Sequence, residues 1–185
     1  MSFDPARVMI LSGPSGVGKD SVLDRWMERN PKVERVIAVT TRAPREGEVD
    51  GTSYHFVSQA EFDRARASGQ FLEAKNVHGN WYATPMAGVE AILKCDGIAI
   101  LKIDVQGARE IVAKHPDVLT VFLLPPSMEE LERRIRGRQT DQDSSIVVRL
   151  KNAKDEICAS SFYKHRLVND DLEKVVDQLE AIVTH

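Results

Sequence analysis

Residues 13 to 20 read Gly-Pro-Ser-Gly-Val-Gly-Lys-Asp and follow the apolar run Val8-Met9-Ile10-Leu11. Gly13 and Gly18 open backbone conformations closed to other residues, so successive N–H groups can converge on an anion. Lys19 can reach β- and γ-phosphates, and a helix starting near Gly18 turns its positive end toward them. Gly13, Pro14, Ser15, Gly16, Val17, Gly18 and Lys19 therefore read as a grip on a nucleoside triphosphate. The glycine spacing does not suit a dinucleotide fingerprint, which needs intervals of one and then three residues. The position after the lysine normally carries Ser or Thr, whose hydroxyl binds Mg²⁺. Here Asp20 stands there, so an unusual metal shell is expected, with Asp20 supporting Mg²⁺ directly or through water.

A second group lies at Thr40-Thr41-Arg42-Ala43-Pro44-Arg45-Glu46-Gly47-Glu48. Arg42 and Arg45 share a proline-stiffened turn, and two guanidinium forks held together suit a dianionic phosphate. Spacing alone leaves open a solvated basic turn paired with Glu46 and Glu48.

Those groups must be held by elements. The 185 residues make one domain with room for a core and small inserted subdomains, at 42% hydrophobic and 29% charged residues. A formal charge of −3 argues against nucleic-acid and membrane-surface partners. No stretch is long and apolar enough to span a membrane, and the polar start Met-Ser-Phe-Asp-Pro-Ala-Arg is unlike a signal peptide. Cys95 and Cys158 lack metal or redox spacing and read as reduced thiols in a cytoplasmic protein. Val8–Leu11, Val36–Val39, Ile98–Ile103, Leu119–Leu124 and Leu167–Val168 read as buried strands. Helical patterns over 19–29, 85–94, 107–114, 128–138, 144–160 and 171–183 alternate with them. Alternation predicts an α/β fold, a parallel sheet covered by helices on both faces, with ligands at the strands' carboxyl ends. Residues 40–84 read as an inserted β-rich lobe around one helix at 59–68. Residues 133–149 read as a helical lid, an arginine-rich hairpin with a mobile tip. The core is then about 1–39, 85–132 and 150–185.

Taken in order, several motifs resemble the guanylate kinase family. They are the phosphate loop, Thr-Thr-Arg-x-Pro-Arg-x-Gly-Glu-x-x-Gly-x-x-Tyr-x-Phe-Val, Phe71-Leu72-Glu73 and Gly79-Asn80-Trp81-Tyr82-Ala83-Thr84. Ile103-Asp104-Val105-Gln106-Gly107-Ala108, Phe122 to Ser127 and Val168-Asn169-Asp170-Asp171 extend the resemblance over nearly the whole chain. It implies a P-loop three-layer core, a lobe for the nucleoside monophosphate and a lid, and transfer of the γ-phosphoryl of ATP to GMP (and dGMP) with Mg²⁺. It implies further that Arg42, Arg45, Tyr54 and Tyr82 hold the GMP phosphate, that Glu73 reads guanine and that Thr84 contacts the base. A carboxylate only accepts, and guanine offers N1–H and N2–H₂ donors side by side, whereas adenine would turn a lone pair toward it. Lys19, Arg42, Arg45 and the lid arginines Arg138 and Arg149 are the expected catalytic cations. Arg134 stacks by the adenine, Asn169 lies at its edge, and Asp104 is the strand-end carboxylate near GMP and the metal. Arg133 and Arg136 read as solvated charges, His78 and His115 as surface residues, Trp26 and Met86 as packing. Ala38 stands where the family more usually has Ser or Thr.

Asp20 departs from the family, and Lys102 stands where an acid is common. An acid gained and an acid lost on neighbouring elements suggest a charge exchange, with Lys102 pairing Asp20 or approaching the phosphates. Closure of both lobes is expected, with Gly47, Gly51 and Gly137 as candidate flexible points. A monomer or a homodimer is expected. Two other readings are a ribose bisphosphate kinase, whose family also has Asp after the loop lysine, and a non-catalytic guanylate-kinase-like binding module.

Overall fold

The computed structural model describes residues 3–77, 79–137 and 143–184. The first half runs β1 (Val8–Ser12), α1 (Lys19–Arg29), β2 (Val33–Arg35), β3 (Val39–Thr40), β4 (His55–Phe56), α2 (Gln59–Ala67), β5 (Phe71–Val77) and β6 (Asn80–Pro85). The second runs α3 (Met86–Lys94), β7 (Ile98–Lys102), α4 (Val105–Lys114), β8 (Leu119–Leu124), α5 (Met128–Arg136), α6 (Asp143–Ala159), β9 (His165–Val168) and α7 (Leu172–Val183).

Five strands form a sheet in the order β2-β7-β1-β8-β9, parallel at every pairing. The alternation of side chains along β1 explains its unbroken apolar run. Met9 and Leu11 pack with Trp26, Leu131, Ile135, Val175 and Leu179 on one face. Val8 and Ile10 pack with Val89, Ile111 and Phe122 on the other. A strand buried on both faces has no polar side to show, which makes this a three-layer core. On the first face α1 and α7 are also pinned by polar contacts. Glu180 accepts from Trp26 Nε1 at 2.6 Å and from Asn30 Nδ2 at 3.1 Å.

A second sheet, β4-β3-β6-β5, carries its own small core of Val39, Phe62 and Ala83, with Phe71 and Trp81 against it. Helix α2 begins at a capping box, where Ser58 and Glu61 satisfy each other's amides. The run Val36–Val39, expected as one core strand, is divided between the sheets. Val36 N still donates to Ile100 O at 3.0 Å beyond β2, and Val39 then opens β3. Both valines are buried, so the run is apolar for two different reasons, and periodicity cannot tell two adjoining cores from one.

The boundary between β7 and α4 moves, α4 starting at Val105. Strand β7 stops at Lys102, because Asp104 caps α4, its Oδ1 accepting from Gly107 N at 2.7 Å. Asp96 takes a positive φ of 59° in the turn before β7. His115, expected at the surface, is half-buried with its ring 4.7 Å from Phe3. Trp26 is fully buried, as expected of a packing residue. His78 lies outside the described residues.

Candidate active site

Parallel strands present all their carboxyl ends at one edge, and the candidate residues gather there. Gly13 follows β1, Lys102 ends β7 with Asp104 just beyond it, and Asn169 follows β9.

The phosphate loop is shaped by close approaches. Gly18 is the N-cap of α1 at φ +101°, where a Cβ would stand 2.6 Å from Asn169 Nδ2. Gly13 lies so near β8 that a Cβ would meet Leu123 O at 2.6 Å. Lys19 folds back over the loop, its Nζ donating to Gly13 O and to Pro14 O, the latter at 3.1 Å. Val17 O accepts from Asn169 Nδ2 at 2.7 Å and from Arg134 Nη1 at 3.2 Å. Arg134 also donates to Asn169 O at 3.2 Å and to Glu130 Oε1 at 2.8 Å. Arg134 and Asn169, paired in expectation at the adenine, thus sit together and line a cavity with Gly16, Gly18, Ser21 and Leu172. Arg149 lies half-buried in α6. Arg138 lies outside the described residues.

A separate cavity opens between the second sheet and the end of β7, lined among others by Ala38, Tyr54, Glu73, Tyr82, Lys102 and Asp104. Glu73 is only 5% exposed, and its Oε1 accepts from Thr84 Oγ1 at 2.8 Å. Gly107 leaves room for it, since a Cβ there would lie 3.0 Å from Glu73 Oε2. Burial pushes the Glu73 carboxyl up to about 7. The Thr84 hydrogen bond works against that rise, and the charges of Asp104 and Glu110 add to it. The side chain is thereby poised to change charge near neutrality.

Arg42, two residues past β3, contacts Tyr82 and Tyr54 of this cavity. Its Nε donates to Tyr82 Oη at 3.1 Å, its Nη2 pairs with Glu48 Oε1 at 2.8 Å, and its guanidinium lies 5.5 Å from the Tyr54 ring centre. Glu48 Oε2 accepts from Arg45 N at 2.7 Å, which closes the turn. Arg45 is exposed on that turn. Of the two readings of this turn, the structure shows the ion pair, made by Arg42 with Glu48. Gly47 and Gly51 hold positive φ values of 81° and 74° in the loop that follows, while Gly137 has an ordinary helical φ of −66°.

Lys102 Nζ donates to Asp20 Oδ1, so these two departures are direct partners. Among the described residues, no three or more His, Cys, Asp or Glu side chains could hold a metal ion together. Mg²⁺ takes one or two carboxylates and completes its shell with phosphate oxygens and water, and Asp20, directly after the loop lysine, offers one carboxylate. Asp104 caps α4 and lines the Glu73 cavity.

Sequence reasoning left two contributors without a role. Glu130 anchors Arg134 and could have been read from its i,i+4 spacing. Glu156 of α6 is half-buried and has a raised pKa; burial is the main cause, Lys19 opposes it and Asp104 adds to it. Only the topology brings Glu156 toward Lys19, and no local pattern announces it.

The guanylate kinase family profile matches residues 5–185. The guanylate kinase of Trichormus variabilis is 42% identical over 175 residues, 95% of this chain and 88% of the relative. That of Thermobifida fusca is 44% identical over 179 residues, covering 97% and 91%. Among solved structures, guanylate kinase from Anaplasma phagocytophilum aligns with a TM-score of 0.75 at 34% identity, over 96% of this chain and 84% of that one.

Proposed function

Since the chain belongs to the guanylate kinase family, we infer that it transfers the γ-phosphoryl group of ATP to GMP, giving ADP and GDP. The observation that carries the substrate reading is Glu73, a buried acceptor beside Thr84 in a cavity also lined by Tyr54 and by Tyr82, whose hydroxyl accepts from Arg42. A base edge with two adjacent donors satisfies that carboxylate, and a monophosphate satisfies the guanidinium. Deoxyguanosine monophosphate presents the same two groups, so dGMP is a second acceptor.

In the reaction an oxygen of the GMP phosphate bonds to the γ-phosphorus as the bond to the β-phosphate oxygen breaks. The protein aligns the two nucleotides and supplies positive charge. Lys19 and the loop amides hold the β- and γ-phosphates. Arg42 and Arg45 hold the acceptor phosphate with Tyr54 and Tyr82. Arg138 and Arg149 complete the charge from the lid, and Arg134 with Asn169 hold the adenine. Asp20 and Asp104 are the residues that would hold Mg²⁺, which when bound neutralises charge on the phosphate oxygens. Residues 40–84 act as the GMP lobe and 133–149 as the lid, closing on the core about 1–39, 85–132 and 150–185 to exclude water. No described helix is long and apolar enough to cross a membrane. We place the enzyme in the cytoplasm, acting as a monomer or a homodimer.

A buried base-reading carboxylate has no use in a ribose bisphosphate kinase, and an intact loop lysine has none in a binding module. Initial rates with ATP and GMP, dGMP, AMP, UMP, CMP or ribose bisphosphate test the reading. Turnover confined to GMP and dGMP is the expected result. Preference for any other acceptor, or ligand binding without turnover, would overturn it.

A further inference from the structure

We propose that Lys102 is a positioning residue for the metal that accompanies the triphosphate: it holds one oxygen of Asp20, cancels that carboxylate's charge and leaves the other oxygen to the ion. This rests on the ATP half of the reading above.

The two residues lie 82 positions apart and meet because β7 is the neighbour of β1. Lys102 Nζ at the end of β7 reaches Oδ1 of Asp20 in the first turn of α1, directly after the loop lysine. The Lys102 side chain is 24% exposed and that of Asp20 57%, so the carboxylate keeps an open side.

Charge gives the pair its meaning. A Ser or Thr at this position is neutral. A lone carboxylate there would repel the triphosphate it is meant to serve. Lys102 removes that repulsion while Asp20 still offers a hard anionic oxygen to a hard cation. Hydrogen bonds from outer groups to a ligating carboxylate are the usual means of aiming it. An ordinary surface ion pair would leave nucleotide binding untouched.

The two single replacements must therefore act in opposite directions. Calorimetric titrations of the full chain use ATP with chelator and ATP with Mg²⁺, and no GMP. Asp20→Ser should tighten metal-free ATP and lower the preference for the Mg²⁺ form by about tenfold. Lys102→Met should weaken metal-free ATP by about tenfold and raise that preference. The double variant should bind metal-free ATP like the wild type yet keep the lowered preference. Lys102→Arg should stay close to wild type. If either first variant fails to fold, Asp20→Asn or Lys102→Gln must give the same sign. Shifts of both single variants in one direction, an unchanged metal preference in Asp20→Ser, or equal losses in the Arg and Met variants would overturn the proposal. Since GMP is absent, these results are independent of acceptor identity, and failure of wild-type GMP turnover would leave them standing.

Discussion

Glu73 and Thr84 face each other across the β5–β6 pair, and the threonine hydroxyl donates to the carboxylate at 2.8 Å with both side chains buried. The pairing orients the carboxylate at the edge of the cavity it lines.

The first prediction is a pH dependence of GMP binding. Two guanine donors need the ionised carboxylate, and Glu73 titrates at about 7. GMP affinity should therefore rise with pH and level off above neutrality, with about a tenfold loss at pH 6. The GMP phosphate has its own step near pH 6. Glu73→Gln keeps that step and should lose the one near 7, so KM profiles of both proteins separate them. Identical profiles would count against a guanine-reading Glu73.

The same shift bears on stability. A carboxyl raised from 4.5 to about 7 binds more protons in the folded than in the unfolded chain between those values. Stability should fall as pH rises through that window, by up to about 3 kcal/mol in total. Glu73→Gln should gain relative to wild type at pH 8 and lose that advantage at pH 5, read from denaturant midpoints.

Much of this site was legible from local pattern, and what was not depended on distance in the chain. The phosphate loop could be read because strand, turn and helix are contiguous, and Gly18, Lys19 and Asp20 stand where the motif puts them. Arg42 and Arg45 were visible as a pair, but nothing in their spacing decided between phosphate and Glu48. The structure has Arg42 on Glu48, Tyr82 and Tyr54 together. Glu73 alone looks like any acid on a strand; its burial comes from Gly107 and α4, which are remote in sequence. Val36–Val39 misled for the complementary reason, since hydrophobicity reports burial without saying in which core.

Glu48 should act as the organiser of Arg42. One oxygen takes the guanidinium and the other the Arg45 amide, so Glu48→Ala removes both restraints. KM for GMP should rise about tenfold while KM for ATP changes little, a loss near 1.4 kcal/mol. Tyr82→Phe, which removes one hydroxyl and leaves the Glu48–Arg42 pair in place, should cost less. Arg42→Lys should not rescue Arg42→Met, because an ammonium lacks the fork that spans tyrosine and phosphate. Kinetics in which Glu48→Ala raises both KM values alike would point to general disruption of the turn.

Gly18 offers a test of the other half of the site. Its φ of +101° disfavours any side chain, and an added Cβ would stand 2.6 Å from the Asn169 amide that donates to Val17 O. Gly18→Ala carries two penalties, backbone strain of about 1–3 kcal/mol and displacement of Asn169. Asn169→Ala by itself loses the link to Val17 and should weaken ATP binding moderately. The double variant relieves the collision and leaves the strain, so it should recover part of the ATP affinity lost by Gly18→Ala. Recovery to the level of Asn169→Ala would mean that the collision dominates and that α1 tolerates its strained start; no recovery would mean that φ alone decides. Titrations with ATP–Mg²⁺, read beside thermal midpoints, distinguish these outcomes, because strain lowers the midpoint whether or not nucleotide is bound.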